Sequence, residues 1–212
     1  IIKNLPRVKD IDTMINLLKS LGSEIKFSKN KKIVKITKKK KQNFYASYSL
    51  VRTMRAGILV LGALVAKHQK SITSLPGGCL IGARPVNYHL NALKKLGMKY
   101  DIKKGYIHAH TKEKLKGTKI RFSKISVGAT ENTIIAACLA NGITILRNCA
   151  IEPEIIDLIN FLKSGGAKIK FIGKRTLKIE GINSLESTSY SVMSDRIETG
   201  TFCVAACLTG GN

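Results

Sequence analysis

The chain has 212 residues, 44% of them hydrophobic, and a formal net charge of +24 at pH 7. This length allows one large domain or two small ones, and the apolar content suffices for a buried core, which excludes an intrinsically disordered chain. The longest apolar run, Ala56 to Ala66, is too short for a transmembrane helix, and the first residues do not resemble a secretory leader. We therefore expect a globular cytoplasmic protein without a membrane partner.

The positive charge does not by itself indicate nucleic-acid binding. Lysine outnumbers arginine 29 to 8, the lysines are spread along the chain, and aromatic residues make up only 6% of it. This distribution favours a compositional bias toward lysine over a surface built for base stacking, so no nucleic-acid partner is expected. A basic nucleic-acid-binding module stays the alternative, and its affinity would fall steeply as salt rises.

A repeated outer device organises much of the sequence. The three copies are Met14 to Ile36, Leu90 to Ala109 and Ile156 to Ile179. In each copy an amphipathic helix ends at a glycine that suits a left-handed C-cap, and two short alternating strands follow. The glycines are Gly22, Gly97 and Gly165 or Gly166. The last hairpin shows the alternation best, at Ile169, Phe171, Leu177 and Ile179.

A second, more apolar device alternates with the first. It occupies Leu50 to Ile72, Thr130 to Leu146 and Glu198 to Leu208, each with a helix rich in small and apolar residues. Helices that are apolar nearly all round belong in the interior, so we predict inner helices here and outer helices in the first device. The unit is then inner helix, strand, outer helix and hairpin, and several units share one core.

The order of the units suggests that the chain is a fragment. Residues 1 to 11 align with Ile145 to Ile155, so the chain begins partway through a unit, and Glu198 to Gly211 supplies an inner helix and then stops. We expect a longer parent chain. The alternative is a closed, permuted domain in which the last helix takes the place of the first.

The loop from Leu75 to Val86 has the strongest chemical character. It contains three glycines, two prolines, Cys79 and Arg84, so it is a shaped loop in which a cation can lower the pKa of the thiol. An ordinary turn with an inert thiol is the alternative.

The five cysteines are odd in number and lack a CxxC pair, which argues against a disulfide framework or a zinc site. No metal site is expected.

Two further segments suggest anion binding. Lys124 to Thr130 leads into an inner helix, where backbone N–H groups and Ser126 favour a phosphate, although a simple N-cap is the alternative. Arg55 begins the most apolar helix and is interpreted as a buried ion pair or an anion ligand.

The remaining polar residues are interpreted structurally. The four histidines lack metal-ligand spacing and are assigned to surface or strand positions; they are His68, His89, His108 and His110. Asp195, Arg196 and Glu198 are assigned to helix caps and ion pairs.

Taken together, five motifs resemble the enolpyruvyl transferase family, and within it the UDP-N-acetylglucosamine 1-carboxyvinyltransferases. They are TMRAG, LPGGCLIGARPV, KISVGAT, EPEIIDLINFL and SDRIETGTF. The cysteine loop distinguishes that branch from the related 5-enolpyruvylshikimate-3-phosphate synthases. The resemblance implies an α/β (α+β) fold of the inside-out α/β barrel type, with residues 1–193 forming most of one domain without its first inner helix, and residues 194–212 beginning a second, truncated one.

The same resemblance implies a reaction. Members of this branch transfer the enolpyruvyl group of phosphoenolpyruvate to the 3-hydroxyl of UDP-N-acetylglucosamine and release phosphate, the first committed step of peptidoglycan synthesis. Cys79 matches the residue associated with protonation of the phosphoenolpyruvate methylene carbon and with alkylation by fosfomycin. No cofactor and no obligate protein partner is implied.

The substrate-binding residues follow by matching motifs. Arg55 matches an anion-contacting arginine and Arg84 a loop arginine that reaches phosphate. The uracil segment matches Pro85, Val86, Asn87 and Tyr88, and the diphosphate segment matches Lys124, Ile125, Ser126 and Val127. Asn87 and Tyr88 replace an aspartate and a leucine found in many members, so a carboxylate contact to uracil is lost. A lysine, an aspartate and an arginine of the family lie outside these 212 residues, so we expect the chain as given to be inactive; an inactive remnant is the further alternative.

Overall fold

The computed structural model describes residues 1–77 and 86–211 and shows a mixed α/β fold. The helices are α1 (Lys9–Ser20), α2 (Tyr48–Val51), a 3-10 helix (Arg55–Ile58), α3 (Leu59–His68), α4 (Asn87–Lys95), α5 (Val127–Ala137), α6 (Pro153–Ser164) and α7 (Arg196–Thr209). The strands are β1 (Ile2–Lys3), β2 (Ser23–Phe27), β3 (Val34–Lys38), β4 (Tyr45–Ala46), β5 (Lys70–Ser74), β6 (Lys99–Lys103), β7 (Tyr106–His110), β8 (Lys119–Arg121), β9 (Ile143–Arg147), β10 (Lys168–Gly173), β11 (Thr176–Glu180) and β12 (Tyr190–Ser191).

The strands form three four-stranded sheets of identical design. Their strand orders are β12-β1-β3-β2, β4-β5-β7-β6 and β8-β9-β11-β10. In each sheet a hairpin follows an outer helix, the second hairpin strand pairs antiparallel with the strand before that helix, and this strand pairs parallel with a short edge strand. The predicted three-fold repeat is therefore confirmed. Within residues 1–77 and 86–211 the sheets stay separate and form no closed barrel.

The outer helices end as the glycine pattern predicts. Gly22, Gly97 and Gly166 follow α1, α4 and α6 with φ of 95°, 108° and 90°, the left-handed region in which glycine carries no Cβ penalty. After α6 the N–H of Ala167 donates to the carbonyl of Leu162, so Gly166 and not Gly165 is the left-handed residue. The chain turns there directly into the hairpin.

The hairpin of β10 and β11 shows the predicted alternation at three of its four apolar positions. Ile169 faces Ile179 across β10 and β11, and both side chains are buried. Phe171 faces buried Leu177 but is 39% exposed, and the register shifts directly after it, between Phe171 and Gly173. Of the four alternating apolar residues, Ile169, Leu177 and Ile179 are thus buried and Phe171 is not.

The inner helices α3 and α5 pack against each other at the centre of the core. Leu61 and Val65 of α3 and Ile134 of α5 are fully buried. The helices approach so closely that a Cβ added at Gly62 would lie 2.7 Å from the carbonyl oxygen of Asn132. Gly62 thus permits a contact between backbones that any larger residue would prevent.

The substitution Gly62→Ala should lower the free energy of unfolding by about 2 to 3 kcal/mol, because the added methyl overpacks a site whose neighbour is backbone. Urea unfolding followed by circular dichroism measures the change. The matched control is Gly200→Ala on α7, where an added Cβ meets nothing within 4 Å, and where we expect no loss of stability. Equal midpoints for the native chain and Gly62→Ala would refute the close contact.

The last helix does not occupy the interior. None of the residues of α7 is buried, and Phe202 and Leu208 are 68% and 82% exposed. The prediction of an inner helix at Glu198 to Leu208 is therefore wrong for this domain, and the alternative of a domain closed by its last helix is not what the structure shows. An ion pair of 2.8 Å between Arg196 and Glu154 joins the start of α7 to the surface of α6.

Among the described residues no helix is long and apolar enough to cross a bilayer.

Candidate anion-binding cavity

A cavity of about 430 Å³ opens where the 3-10 helix, α4 and α5 all begin. Its wall consists of Arg55, Ala56, Ile58, Leu59, Pro76, Val86, His89, Ser126, Val127, Gly128 and Glu131. These residues come from segments far apart in sequence, and the packing of α3 on α5 and of α4 on α5 brings them together. The predicted Arg55 and Ser126 segments therefore face one cavity.

Arg55 is the first residue of the 3-10 helix and supplies the charge of the cavity. Its Nη1 atom is buried and has no hydrogen-bond partner among the described residues. A buried guanidinium nitrogen without a partner is costly, and an anion in the cavity would satisfy it. Of the two interpretations of Arg55, the described contacts favour an anion ligand over an internal ion pair.

Ser126 caps the helix that points its N-terminus at the cavity. Its Oγ accepts a hydrogen bond of 3.3 Å from the N–H of Ala129, and its carbonyl accepts one of 2.7 Å from the hydroxyl of Thr130. The N-cap alternative is thus confirmed for this serine. The cap also leaves the partial positive charge of the α5 N-terminus beside Arg55, which favours negative charge at the same place.

The prediction that His89 occupies a surface or strand position is wrong. It lies on α4, is 9% exposed, and forms part of the cavity wall. Burial, with a smaller contribution from the charge of Arg55, lowers the pKa of His89 to about 4, so the imidazole is neutral at physiological pH. Its place among apolar residues of an amphipathic helix, directly after the glycine-rich loop, is the sequence signal that could have identified it.

Glu131 is a second wall residue that the sequence reasoning missed. Burial, and then the negative charge of Glu154, raise the pKa of its carboxyl group above the ordinary value. A carboxyl group of this kind takes up a proton more readily than an exposed one. The cavity wall thus contains an acidic group as well as the cation of Arg55.

The structure brings some predicted site residues together and leaves others apart. Arg55, Val86, Ser126 and Val127 lie in the cavity wall. Tyr88 instead lines a neighbouring cavity of about 560 Å³, in company with basic side chains. The three others for which positions are described, Asn87, Lys124 and Ile125, are exposed and line neither cavity. Cys79, Arg84 and Pro85 lie outside the described residues.

The other cysteines differ sharply in environment. Cys138 and Cys149 are fully buried, and burial raises the pKa of their thiols to about 12 and about 11. Cys203 and Cys207 are exposed on α7. Neither pair lines the cavity. No group of three or more potential metal ligands occurs in the part of the chain that the structure describes.

Comparison with known proteins gives one consistent family. The model of the EPSP synthase (3-phosphoshikimate 1-carboxyvinyltransferase) family matches residues 1–212. The UDP-N-acetylglucosamine 1-carboxyvinyltransferase of Pelagibacter ubique (strain HTCC1062) is 63% identical over 209 residues, which are 99% of this chain and 50% of that protein. The protein of the same name from Pseudoalteromonas atlantica is 50% identical over 98% of this chain and 49% of its own length.

Solved structures share the fold at low sequence identity. The enolpyruvyl transferase NikO from Streptomyces tendae has a TM-score of 0.81 at 19% identity, covering 97% of this chain and 48% of that one. EPSP synthase from Acinetobacter baumannii has a TM-score of 0.72 at 17% identity, covering 97% and 46%. The chain thus spans about half the length of the relatives it matches. By its sequence and its fold, the chain belongs to the EPSP synthase family of enolpyruvyl transferases.

Proposed function

We propose that this chain is part of a UDP-N-acetylglucosamine 1-carboxyvinyltransferase and holds the nucleotide sugar during enolpyruvyl transfer. The observation that carries the proposal is the buried Nη1 of Arg55, which has no hydrogen-bond partner within residues 1–77 and 86–211 and lies in a cavity beside the N-terminus of α5. The names of the relatives supply the substrate class, since two of them at 63% and 50% identity carry this activity. A nucleotide sugar presents the diphosphate that such a cavity suits.

The proposed architecture is an inside-out α/β barrel, in which sheets surround inner helices. Three sheets of one design and the buried pair α3 and α5 support it. The exposure of α7, in which no residue is buried, supports the proposal that residues 194–212 begin a second domain.

Within the proposed reaction Arg55 and the α5 N-terminus bind the diphosphate, and Cys79 gives a proton to the methylene carbon of phosphoenolpyruvate as the sugar hydroxyl adds to the neighbouring carbon. The hydroxyl proton is released in this addition; the new methyl group then loses a proton and the phosphate leaves, which re-forms the carbon–carbon double bond and yields the enol ether of the sugar. Pro76 and Val86, which precede and follow Cys79 in the sequence, both lie in the cavity wall.

Arg55→Ala tests the proposal through binding of UDP-N-acetylglucosamine, measured by isothermal titration calorimetry. Removal of a charge-assisted contact should weaken the affinity about tenfold to a hundredfold. Arg52→Ala is the matched control, because Arg52 is exposed and packs over the ring of Tyr48 at 5.3 Å, outside the cavity wall. It should bind like the native chain.

Two results would contradict the proposal. One is the absence of UDP-N-acetylglucosamine binding by the native chain, and the other is equal affinity in Arg55→Ala. A parallel titration with duplex DNA tests the alternative of a basic nucleic-acid-binding module, which requires an affinity that falls steeply with salt.

A further inference from the structure

A buried series of hydrogen bonds runs from the backbone of α3 to the wall of the cavity. The N–H of Gly62 donates to Oδ1 of Asn132 at 2.9 Å, and Nδ2 of Asn132 donates to the carbonyl of Ile58 at 3.1 Å. The same Nδ2 lies 3.1 Å from Nδ1 of His89. Asn132 is fully buried, so this arrangement is shielded from water.

The series fixes which nitrogen of His89 carries the proton. A backbone N–H only donates and a carbonyl only accepts, so Gly62 and Ile58 determine which end of the Asn132 amide is oxygen and which is nitrogen. The amide nitrogen also only donates, so Nδ1 of His89 must accept. A neutral imidazole has one proton, and that proton is therefore on Nε2.

Nε2 belongs to the part of the imidazole that lies beside the cavity. It is 3.5 Å from the position of a Cβ added at Gly128, a wall residue at the start of α5, and it has no hydrogen-bond partner among the described side chains and backbone. Gly128 has no side chain that could lie between Nε2 and the start of α5. The neutral form dominates because burial and Arg55 disfavour the imidazolium.

We propose that His89 is a further ligand-binding residue, whose Nε2–H donates a hydrogen bond to an anionic oxygen of the nucleotide sugar bound beside Arg55, with Asn132 holding the required tautomer. The proposal rests on the proposed function. Arg55 and the α5 N-terminus offer donors to the same space, so an acceptor-rich phosphate oxygen fits all three groups. Glu131 is the acidic side chain of the same wall, and burial and then the charge of Glu154 raise the pKa of its carboxyl group.

The tautomer can be measured without a ligand. Two-dimensional NMR that correlates the side-chain nitrogens and carbon-bound protons of ¹⁵N-labelled chain distinguishes the two forms of a neutral histidine. We expect the Nε2–H form at pH 7, and we expect Asn132→Asp to change the balance, since a carboxylate accepts where the amide donated. Detection of the Nδ1–H form in the native chain would overturn the inference.

Two substitutions test the ligand contact, because each keeps the hydrogen-bonding function of one imidazole nitrogen and removes that of the other. His89→Asn keeps an acceptor near the Nδ1 position and loses the Nε2–H donor, whereas His89→Gln can place an amide donor near Nε2. With UDP-N-acetylglucosamine as the probe, calorimetry should show about tenfold weaker binding for His89→Asn and a smaller loss, within about threefold, for His89→Gln. Thermal unfolding of each variant confirms that both are folded at the assay temperature.

The outcomes separate this inference from the proposed function. If the native chain binds and Arg55→Ala binds more weakly, but His89→Asn binds as tightly as the native chain, the role of His89 is refuted and the proposed function stands. If His89→Asn and His89→Gln lose affinity equally, the donor is not what matters, and the inference also falls. If the native chain does not bind UDP-N-acetylglucosamine, both are overturned.

Discussion

Cys79→Ala should reduce the release of phosphate from phosphoenolpyruvate, in the presence of UDP-N-acetylglucosamine, by at least about a hundredfold in the complete gene product. A positioned general acid contributes about 10² to 10⁴ to a rate, and an alanine cannot supply the proton. The other cysteines cannot substitute for it. Cys138 and Cys149 are fully buried with raised pKa values, and Cys203 and Cys207 project from α7.

Controls for this prediction come from the same chain. Cys203→Ala should retain full activity, because its side chain is exposed and outside the cavity wall. Cys79→Asp should retain part of the activity, because a carboxylic acid can donate a proton, but it should not be alkylated by fosfomycin. Mass spectrometry should place the fosfomycin adduct of the native protein on Cys79. Full turnover by Cys79→Ala would eliminate the proposed role of this thiol.

The repeat was predictable because its signals are local. A glycine after an amphipathic stretch reports a backbone conformation within one turn, and Gly22, Gly97 and Gly166 all adopt it. Alternation of apolar and polar residues along a hairpin predicts which face of the strands is buried, and Ile169 and Ile179 are both buried. The unit order then follows from repetition, whereas the shared strand order of the three sheets and their parallel edge strands were not predicted from these local signals.

The interior of the site was not predictable in the same way. His89 and Asn132 come into contact only because α4 packs against α5, and the apolar pattern of neither helix predicts this contact. The apolar composition of Glu198 to Leu208 correctly predicted a helix. The apolar content of a helix does not, however, determine which surface the helix packs against. Its residues are exposed on α7 because the described chain offers them no covering surface.

Arg55 and Ser126 were predicted as candidate anion-binding residues because each is a polar residue at the start of an apolar helix. An arginine at the start of the most apolar helix and a capping serine before a glycine are both visible in the sequence. Their convergence on one cavity depends on the crossing of α3 and α5, where Gly62 contacts Asn132. At the same crossing Asn132 contacts both the backbone of Gly62 and the imidazole of His89.

Acid should destabilise the native chain more than the variant His89→Gln, by about 3 kcal/mol between pH 7 and pH 4. In the unfolded chain His89 binds a proton near its ordinary pKa of about 6.5, whereas burial and Arg55 hold its pKa in the native state at about 4. Between these values the unfolded state binds more protons than the native state. Stability from this group is therefore present above about pH 6.5 and is lost as the pH falls toward 4.

The comparison between the two proteins isolates this histidine from other titrating groups. Glu131 has a raised pKa and contributes the opposite slope, since its native state binds a proton more readily than the unfolded chain does, and Glu154, whose pKa Arg196 lowers, adds stability that acid removes. Both groups are present in both proteins, so their contributions cancel in the difference. Urea unfolding at pH 7, 6, 5 and 4 should give a gap between the two free energies that changes steadily in favour of His89→Gln. A gap that stays constant with pH would show that His89 ionises as readily in the folded chain as in the unfolded one, which its burial between Asn132 and Arg55 does not allow.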